Sequence, residues 1–283
     1  MNPQLYPTLR LLNSSTVVAI TGGFRLYIAF ILAGIAIRIP ECGAFALIMY
    51  ATYELDRALD CKEDAINKSE LCGADRKIGL IACIVTFLAG AFLLGLDGIY
   101  LAPFLPFIIG YFYSHGLRIG SFTVKLKGSL GVKNLIVGLT WGGTIALIVS
   151  RWCDNIVTVG IILLFFGSKT FITSCVNDFK DVRGDLAAGL KTLPASLGED
   201  LTRRVLIMIN LGMHGIMVYA LVTHIIWNDW IIVLYSLVIP TLFLLVYSSS
   251  FENSPIVIIK RLREIVVYWE SAITLVVRLC VAD

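Results

Sequence analysis

The sequence contains few charged residues. Asp, Glu, Lys and Arg make up 15% of its 283 residues, whereas soluble proteins contain about 25%. Hydrophobic residues account for 58%, and the mean hydropathy is +0.85. This composition excludes a soluble globular protein and predicts an integral membrane protein. The 23 basic and 20 acidic side chains leave a net charge of only +3, which argues against a nucleic-acid partner.

Residues that would identify several enzyme and metal-binding classes are also absent. The seven cysteines include no C-x-x-C pair, so they indicate neither a disulfide framework nor a zinc site. The three histidines lack the spacing of metal ligands, and no serine lies in a nucleophile elbow. The first thirty residues show no signal-peptide cleavage pattern, so we expect the N-terminus to be retained.

Apolar segments of the length that spans a bilayer fill most of the chain. They predict an all-α polytopic membrane protein with nine transmembrane helices in one domain, residues 1–283. The predicted helices cover residues 16–38, 42–60, 78–96, 99–114, 132–150, 156–176, 203–223, 229–247 and 264–281. Glycines at 22, 23, 138, 142 and 143 indicate close contacts between helices. Basic residues are concentrated in the longer joints, so the positive-inside rule places those joints and the N-terminus in the cytoplasm.

Acidic side chains form two clusters in these joints. The first comprises Asp56, Asp60 and Asp64, and the second comprises Asp178, Asp181 and Asp185. The spacing places the members of each cluster on one helix face, provided that the preceding helix continues through them. Each cluster contains D-x-x-x-D after an even-numbered helix, which indicates a diverged internal repeat.

Carboxylates at this spacing are suitable ligands for Mg²⁺, which binds through one or two carboxylates together with substrate phosphates. Two facing clusters would hold a diphosphate through Mg²⁺, which would neutralise the leaving group as its carbon–oxygen bond breaks. The alternative is that the acids form salt bridges with basic neighbours on a solvated helix end. Because both clusters lie at matching membrane depth, we favour the functional interpretation.

The two motifs resemble those of the UbiA superfamily of intramembrane prenyltransferases. Asp56 and Asp60 match the aspartates of its first motif, N-x-x-x-D-x-x-x-D. Residues 178–194 are close to its second motif, D-x-x-D-x-x-G-D-x-x-x-G-x-x-T-L-P, in which Asp181 and Asp185 match the paired aspartates. The similarity extends over essentially the whole chain and includes a Tyr-Ser and a Leu-Lys pattern after helix 4.

The first motif departs from the family pattern. Thr52 stands where the family usually has Asn, and Tyr53 stands where an Asp often follows. The Arg-Pro that trails the motif is absent from residues 67–71. Thr52 offers a hydroxyl oxygen in place of an amide, so these departures bear on the acceptor and on the coordination of the metal.

The resemblance implies a central, lipid-accessible cavity that binds a prenyl diphosphate and Mg²⁺. The catalytic residues would be Asp56, Asp60, Asp181 and Asp185, and these four together with Asp178 would be the metal ligands. The substrate-binding residues would include Thr52, Tyr113, Lys125, Lys127 and Asn134. We interpret Lys125 and Lys127 as phosphate ligands, whereas Arg118 and Lys133 are interpreted as topology signals.

Two further cations lie at predicted membrane depth, where charged residues usually face a bundle interior or a wet cavity. These are Arg25 in helix 1 and Lys169 in helix 6. Each of them either contacts substrate in the cavity, or only snorkels or pairs inside the bundle, and the sequence leaves both alternatives open.

Together these features predict an enzyme of isoprenoid biosynthesis that moves an isoprenoid group from a prenyl diphosphate to an aromatic or lipid acceptor through an allylic carbocation. One alternative is an intramembrane terpene cyclase of the same superfamily, which acts on a prenyl diphosphate alone. The other is a cation transporter. It is disfavoured because transporter sites lie near the midplane on broken helices, whereas these acids lie at helix ends.

Overall fold

The computed structural model describes residues 5–58, 74–115, 117–119, 122–124, 131–187 and 191–281. The first helices are α1 (Leu5–Leu32), α2 (Ile39–Ala58), α3 (Arg76–Leu96) and α4 (Phe104–His115), followed by strands β1 (Leu117–Ile119) and β2 (Phe122–Val124). The remaining elements are α5 (Val132–Val149), α6 (Ile156–Ala187), α7 (Leu193–Leu197), α8 (Glu199–Val222), α9 (Trp230–Val246), a 3₁₀ helix (Ser249–Asn253) and α10 (Val257–Val281).

Each of the nine predicted segments has a helical counterpart in the described part of the chain, and the predominantly helical fold is confirmed. Five of the described helices contain a segment long and apolar enough to cross a membrane. These segments are Tyr6–Leu32, Arg76–Leu96, Val132–Val149, Ile156–Val182 and Glu199–Val222. The number of nine crossings therefore stays a prediction.

A short antiparallel hairpin was not predicted. Leu117 of β1 lies opposite Val124 of β2, and Ile119 lies opposite Phe122. The sequence signal is a Gly-Ser pair at 120–121 between residues that favour strands, a combination typical of two-residue hairpins. The hairpin is a local addition to a fold that is otherwise helical in the described residues.

The chain forms two compact units, one of residues 1–26 and 38–127 and the other of residues 27–37 and 128–283. In the first unit α2 packs along α3, and glycine permits the close approach. A Cβ atom at Gly90 of α3 would lie 2.8 Å from the carbonyl oxygen of Ala44 on α2. A glycine also lies between α1 and α2, where a Cβ atom at Gly23 would be 3.2 Å from the carbonyl oxygen of Cys42. The prediction of a single domain over residues 1–283 stays a prediction.

One face of α3 is apolar and exposed. Ile81, Val85, Leu88 and Phe92 recur at helical spacing, and each has more than half of its surface exposed. A continuous apolar face of this kind is unfavourable in water and suits contact with lipid chains. It agrees with a protein that crosses a membrane several times.

In the second unit α5 packs against α6 through glycines. A Cβ atom at Gly142 would lie 2.5 Å from the carbonyl oxygen of Leu163, and one at Gly138 would lie 2.6 Å from that of Gly167. The close helix contact predicted from these glycines is therefore confirmed. It holds the start of α5 beside the last turns of α6.

Substituting Gly142 with alanine is expected to destabilise the protein by about 1–3 kcal/mol, because the new methyl group would overlap backbone atoms of α6. The measurement is thermal unfolding of the purified protein in detergent. Gly160→Ala is the matched control, since a Cβ atom at Gly160 meets nothing within 4 Å. Equal melting temperatures for the two variants would contradict the close approach of α5 and α6.

An aromatic cluster in the second unit supports the end of α6. Tyr247 stacks on Phe243 with ring centroids 4.7 Å apart, and it contacts Phe179 of α6 at 5.7 Å. All three side chains are buried, together with Leu206 of α8 and Val267 of α10. Because Phe179 lies between Asp178 and Asp181 in the sequence, this packing fixes the helical turn that carries the second acidic cluster.

Candidate functional site

The second acidic cluster lies on α6 itself. This helix continues to Ala187, beyond the predicted end at residue 176, so the three aspartates occupy its last turns rather than the joint below it. Asp178 and Asp185 are 4% and 5% exposed, and Asp181 is half-buried. Their spacing of three and four residues places them on one face of the helix, as the sequence predicts.

Two residues at the start of α5 hold Asp178. The side-chain amide of Asn134 donates to Asp178 Oδ2 at 2.8 Å, and Lys133 Nζ lies 3.3 Å from Asp178 Oδ1. Asn134 also donates to Cys175 Sγ at 2.9 Å. Lys133 was interpreted from the sequence as a topology signal, but the structure shows it in an ion pair with the second cluster.

Thr192 holds Asp185. Its hydroxyl group donates to Asp185 Oδ2 at 3.0 Å. Thr192 precedes the first turn of α7 with an extended backbone (φ −75°, ψ 160°), and its side chain makes no capping bond to that helix. Threonine before a helix usually caps it, so here the hydroxyl serves the acidic cluster instead.

The electrostatics of this cluster suit a divalent cation. Burial raises the pKa of Asp185 above its usual range, and the carboxylates of Asp178 and Asp181 raise it further, against the Thr192 hydrogen bond and the Lys133 charge. Negative charge concentrated in this way is relieved by a cation, and carboxylate oxygens are the ligands that Mg²⁺ prefers. The donor set therefore fits Mg²⁺.

The carboxylates do not form a complete metal cage. Within the residues that the structure describes, no group of three or more His, Cys, Asp or Glu side chains is arranged so that it could hold a metal ion. Mg²⁺ usually keeps several waters and takes further oxygen ligands from substrate phosphates.

The first acidic cluster begins at the end of α2, in the other unit. Asp56 is half-buried there, whereas Asp60 and Asp64 lie outside the described residues. The hydroxyl group of Thr52 donates to the carbonyl oxygen of Ile48 at 2.9 Å. The hydroxyl oxygen of Thr52 can still accept a hydrogen bond or bind a cation.

Glu54 is a buried acid that was not predicted to be important. It is fully buried, and Ser15 Oγ donates to its Oε2 at 2.8 Å. Arg57 donates to the same serine. Glu54 Oε1 lies against Gly79, where a Cβ atom would be 2.9 Å away. Because Glu54 is two residues from Asp56, it points to a different face of α2, and only the packing of α2 with α1 and α3 reveals its burial.

The two intramembrane cations are both buried. Lys169 Nζ lies 2.6 Å from Glu270 Oε1 on α10 and 5.2 Å from the centroid of the Phe165 ring. Lys169 therefore pairs inside the bundle, which is one of the two alternatives that its sequence position left open. A substrate contact by Lys169 or Arg25 stays a prediction.

The remaining predicted substrate-binding residues are less fully described. Tyr113 belongs to α4. Lys125 and Lys127 lie outside the described residues, so their assignment to phosphate binding stays a prediction.

Comparisons with known proteins identify relatives of this chain. It is 28% identical over 199 residues to digeranylgeranylglyceryl phosphate synthase of Natronomonas pharaonis, a match that covers 68% of this chain and 69% of the relative. The structure of a UbiA homolog from Archaeoglobus fulgidus bound to GPP and Mg²⁺ aligns with a TM-score of 0.60 at 16% identity, and covers 96% of this chain and 99% of that one.

A structure of digeranylgeranylglyceryl phosphate synthase in membranes aligns with a TM-score of 0.59 at 17% identity, and covers 98% of this chain and 96% of that one. At these identities the solved structures show a shared fold. Residues 14–255 match the model of the UbiA prenyltransferase family, which confirms the resemblance identified from the sequence, and the chain belongs to that family.

Proposed function

We propose that the protein is a Mg²⁺-dependent intramembrane prenyltransferase. Its family membership supports prenyl transfer. Structures of the homolog from Archaeoglobus fulgidus contain Mg²⁺ with GPP or DMAPP, which supports Mg²⁺ and a prenyl diphosphate as ligands of this chain. The observation that carries the proposal is the cluster of Asp178, Asp181 and Asp185 on one face of α6, held by Lys133, Asn134 and Thr192.

The two acidic motifs supply the carboxylates that hold the metal. The proposed ligands are Asp56, Asp60, Asp178, Asp181 and Asp185. When bound, Mg²⁺ neutralises the charge that develops on the diphosphate as its bond to the prenyl carbon breaks. Lys125 and Lys127 would contact the phosphate oxygens as point charges.

The residues around α6 orient these carboxylates. Asn134 and Lys133 together engage both oxygens of Asp178, and Thr192 engages one oxygen of Asp185. Outer residues of this kind fix the direction in which a ligand presents its lone pairs. The chain thereby presents carboxylate oxygens in a fixed arrangement before substrate arrives, which reduces the reorganisation that accompanies bond breaking.

Cleavage of the carbon–oxygen bond leaves an allylic cation on the prenyl chain and the electron pair on the diphosphate. A nucleophilic atom of the acceptor then bonds to the cationic carbon and releases its proton. The apolar helices of a membrane bundle exclude the water that would otherwise trap the cation. Five residues are the remaining candidates for contacts with the two substrates: Thr52, Tyr113, Asn134, Arg25 and Lys169.

We further propose a glyceryl phosphate lipid as the acceptor. The name of the relative from Natronomonas pharaonis describes a glyceryl phosphate that carries two geranylgeranyl groups. A singly prenylated glyceryl phosphate would then be the second substrate, with its free hydroxyl oxygen as the nucleophile. An aromatic ring is the other acceptor class that the sequence leaves open. The positive-inside pattern supports a cytoplasmic location for the two motifs and the N-terminus.

The proposal is tested with purified protein in lipid nanodiscs, supplied with geranylgeranyl diphosphate, Mg²⁺ and geranylgeranylglyceryl phosphate. We expect equimolar pyrophosphate and doubly prenylated lipid. Removal of the metal with EDTA should stop the formation of both products, and added Mg²⁺ should restore it. A phenolic acid offered as the acceptor is the matched comparison, and its prenylation in place of the lipid would contradict the proposed acceptor. Release of a terpene hydrocarbon or alcohol without any acceptor would instead indicate the cyclase.

A further inference from the structure

Helix α10 lies outside the residues that match the family model, which ends at residue 255, yet it carries a buried polar stripe. Arg263, Glu270 and Thr274 are buried, and Arg278 follows on the same face. Exposed positions of this helix include the apolar residues Ile265 and Val276. Charged residues that are buried among helices of a membrane protein are costly and usually have a specific partner.

The stripe contacts α6 at two levels. Glu270 pairs with Lys169, and Arg263 Nη1 donates to Asn177 Oδ1 at 2.6 Å. Arg263 precedes Glu270 by seven residues on α10, and Asn177 follows Lys169 by eight residues on α6. At 1.5 Å per residue the two contacts are separated by roughly 10–12 Å along each helix, which is the matched spacing of helices that run in opposite directions.

The Arg263 contact reaches the second acidic motif. Asn177 immediately precedes Asp178, and Tyr268 donates its hydroxyl to the same Asn177 oxygen at 3.5 Å. Arg263 therefore donates a hydrogen bond to the residue that directly precedes the first aspartate of this motif. Arg263 is only 6% exposed, so water screens this interaction less than it would at a surface.

We propose that Arg263 is a positioning residue of the second motif. Its guanidinium group holds Asn177 and orients the last turns of α6, so that the aspartates that follow Asn177 present their carboxylates to Mg²⁺ and the diphosphate, an inference that rests on the proposed function of the motif. Arg263 acts through these neighbours and does not contact substrate. A guanidinium group donates several hydrogen bonds in a rigid planar arrangement, whereas an ammonium group retains only the charge.

The test compares Arg263→Gln and Arg263→Lys with Arg278→Gln, each as purified full-length protein in nanodiscs. Arg278 is the matched control because it lies on the same helix and pairs with Asp229, but stands fifteen residues farther along α10. The first readout is the affinity for Mn²⁺ in the presence of inorganic pyrophosphate, measured by electron paramagnetic resonance. The second is the KM for geranylgeranyl diphosphate, measured separately from kcat.

For Arg263→Gln we expect Mn²⁺ affinity to fall at least about tenfold and KM to rise by a similar factor, as for other residues that orient metal ligands. Arg263→Lys should recover part of this loss because it keeps the charge. Arg278→Gln should match the wild-type protein in both readouts. All values are normalised to the folded fraction, determined from the thermal unfolding of each variant.

The possible failures are distinguishable. Wild-type protein that neither binds Mn²⁺ with pyrophosphate nor transfers a prenyl group would overturn the proposed function and, with it, this inference. Wild-type protein that does both, while the Arg263 variants equal Arg278→Gln in Mn²⁺ affinity per folded molecule, would overturn the inference alone.

Discussion

Replacing Asp185 with asparagine is expected to lower kcat at least about 100-fold while leaving the fold intact. Asparagine has nearly the same size and keeps a carbonyl oxygen that can accept the hydrogen bond from Thr192. It lacks the negative charge, and a neutral amide is a much weaker ligand for Mg²⁺. Loss of one group that stabilises developing charge lowers kcat by about 10²–10³-fold in well-studied enzymes.

The measurement is the initial rate of prenyl transfer at saturating Mg²⁺ and prenyl diphosphate. Asp200→Asn is the matched control, because Asp200 lies in the same unit with 81% of its side chain exposed and pairs only with Arg203 of its own helix among the contacts described. It should keep wild-type activity. An Asp185→Asn protein as active as Asp200→Asn would remove the second motif from catalysis.

The positions of the helices follow from the sequence because apolar runs of membrane length are an unambiguous signal. The end of α6 does not, since the polar residues from Asn177 onward interrupt the apolar run. The helix continues because Phe179 packs into a buried cluster with Tyr247, and a contact between residues so distant in sequence leaves no periodic pattern. The start of α1 at Leu5 rather than residue 16 is a second boundary that hydropathy alone misplaces.

The candidate site likewise contains residues that the sequence identifies and partners that only the structure reveals. The aspartates of the second motif are recognisable because their spacing, three and four residues, is local to one helix. Their partners are not, because Lys133 and Asp178 are 45 residues apart and meet only through the packing of α5 on α6. Before that contact is known, Lys133 is indistinguishable from the other basic residues of a cytoplasmic joint. Glu270 and Arg263 are likewise meaningful only once α10 is placed beside α6.

Removing one partner of the Lys169–Glu270 ion pair is expected to destabilise the protein by about 3–5 kcal/mol, since the remaining buried charge would lose its ion-pair partner. Lys169→Met and Glu270→Met should both show this loss in unfolding by SDS from mixed micelles. The double variant should recover most of it, because apolar residues of similar volume often replace a buried ion pair without loss. Asp200→Asn, which breaks an exposed pair, should change stability by less than about 1 kcal/mol.

The double variant also decides between the two alternatives for Lys169. If Lys169 serves only to pair with Glu270, the folded double variant keeps the wild-type KM for both substrates, because neither substrate has lost a contact. If Lys169 contacts substrate as well, the same variant unfolds like the wild-type protein but shows a raised KM for the substrate that it binds. Single variants that unfold at the same SDS fraction as the wild-type protein would contradict the ion pair itself, since a buried charge that loses its partner lowers the stability of the fold.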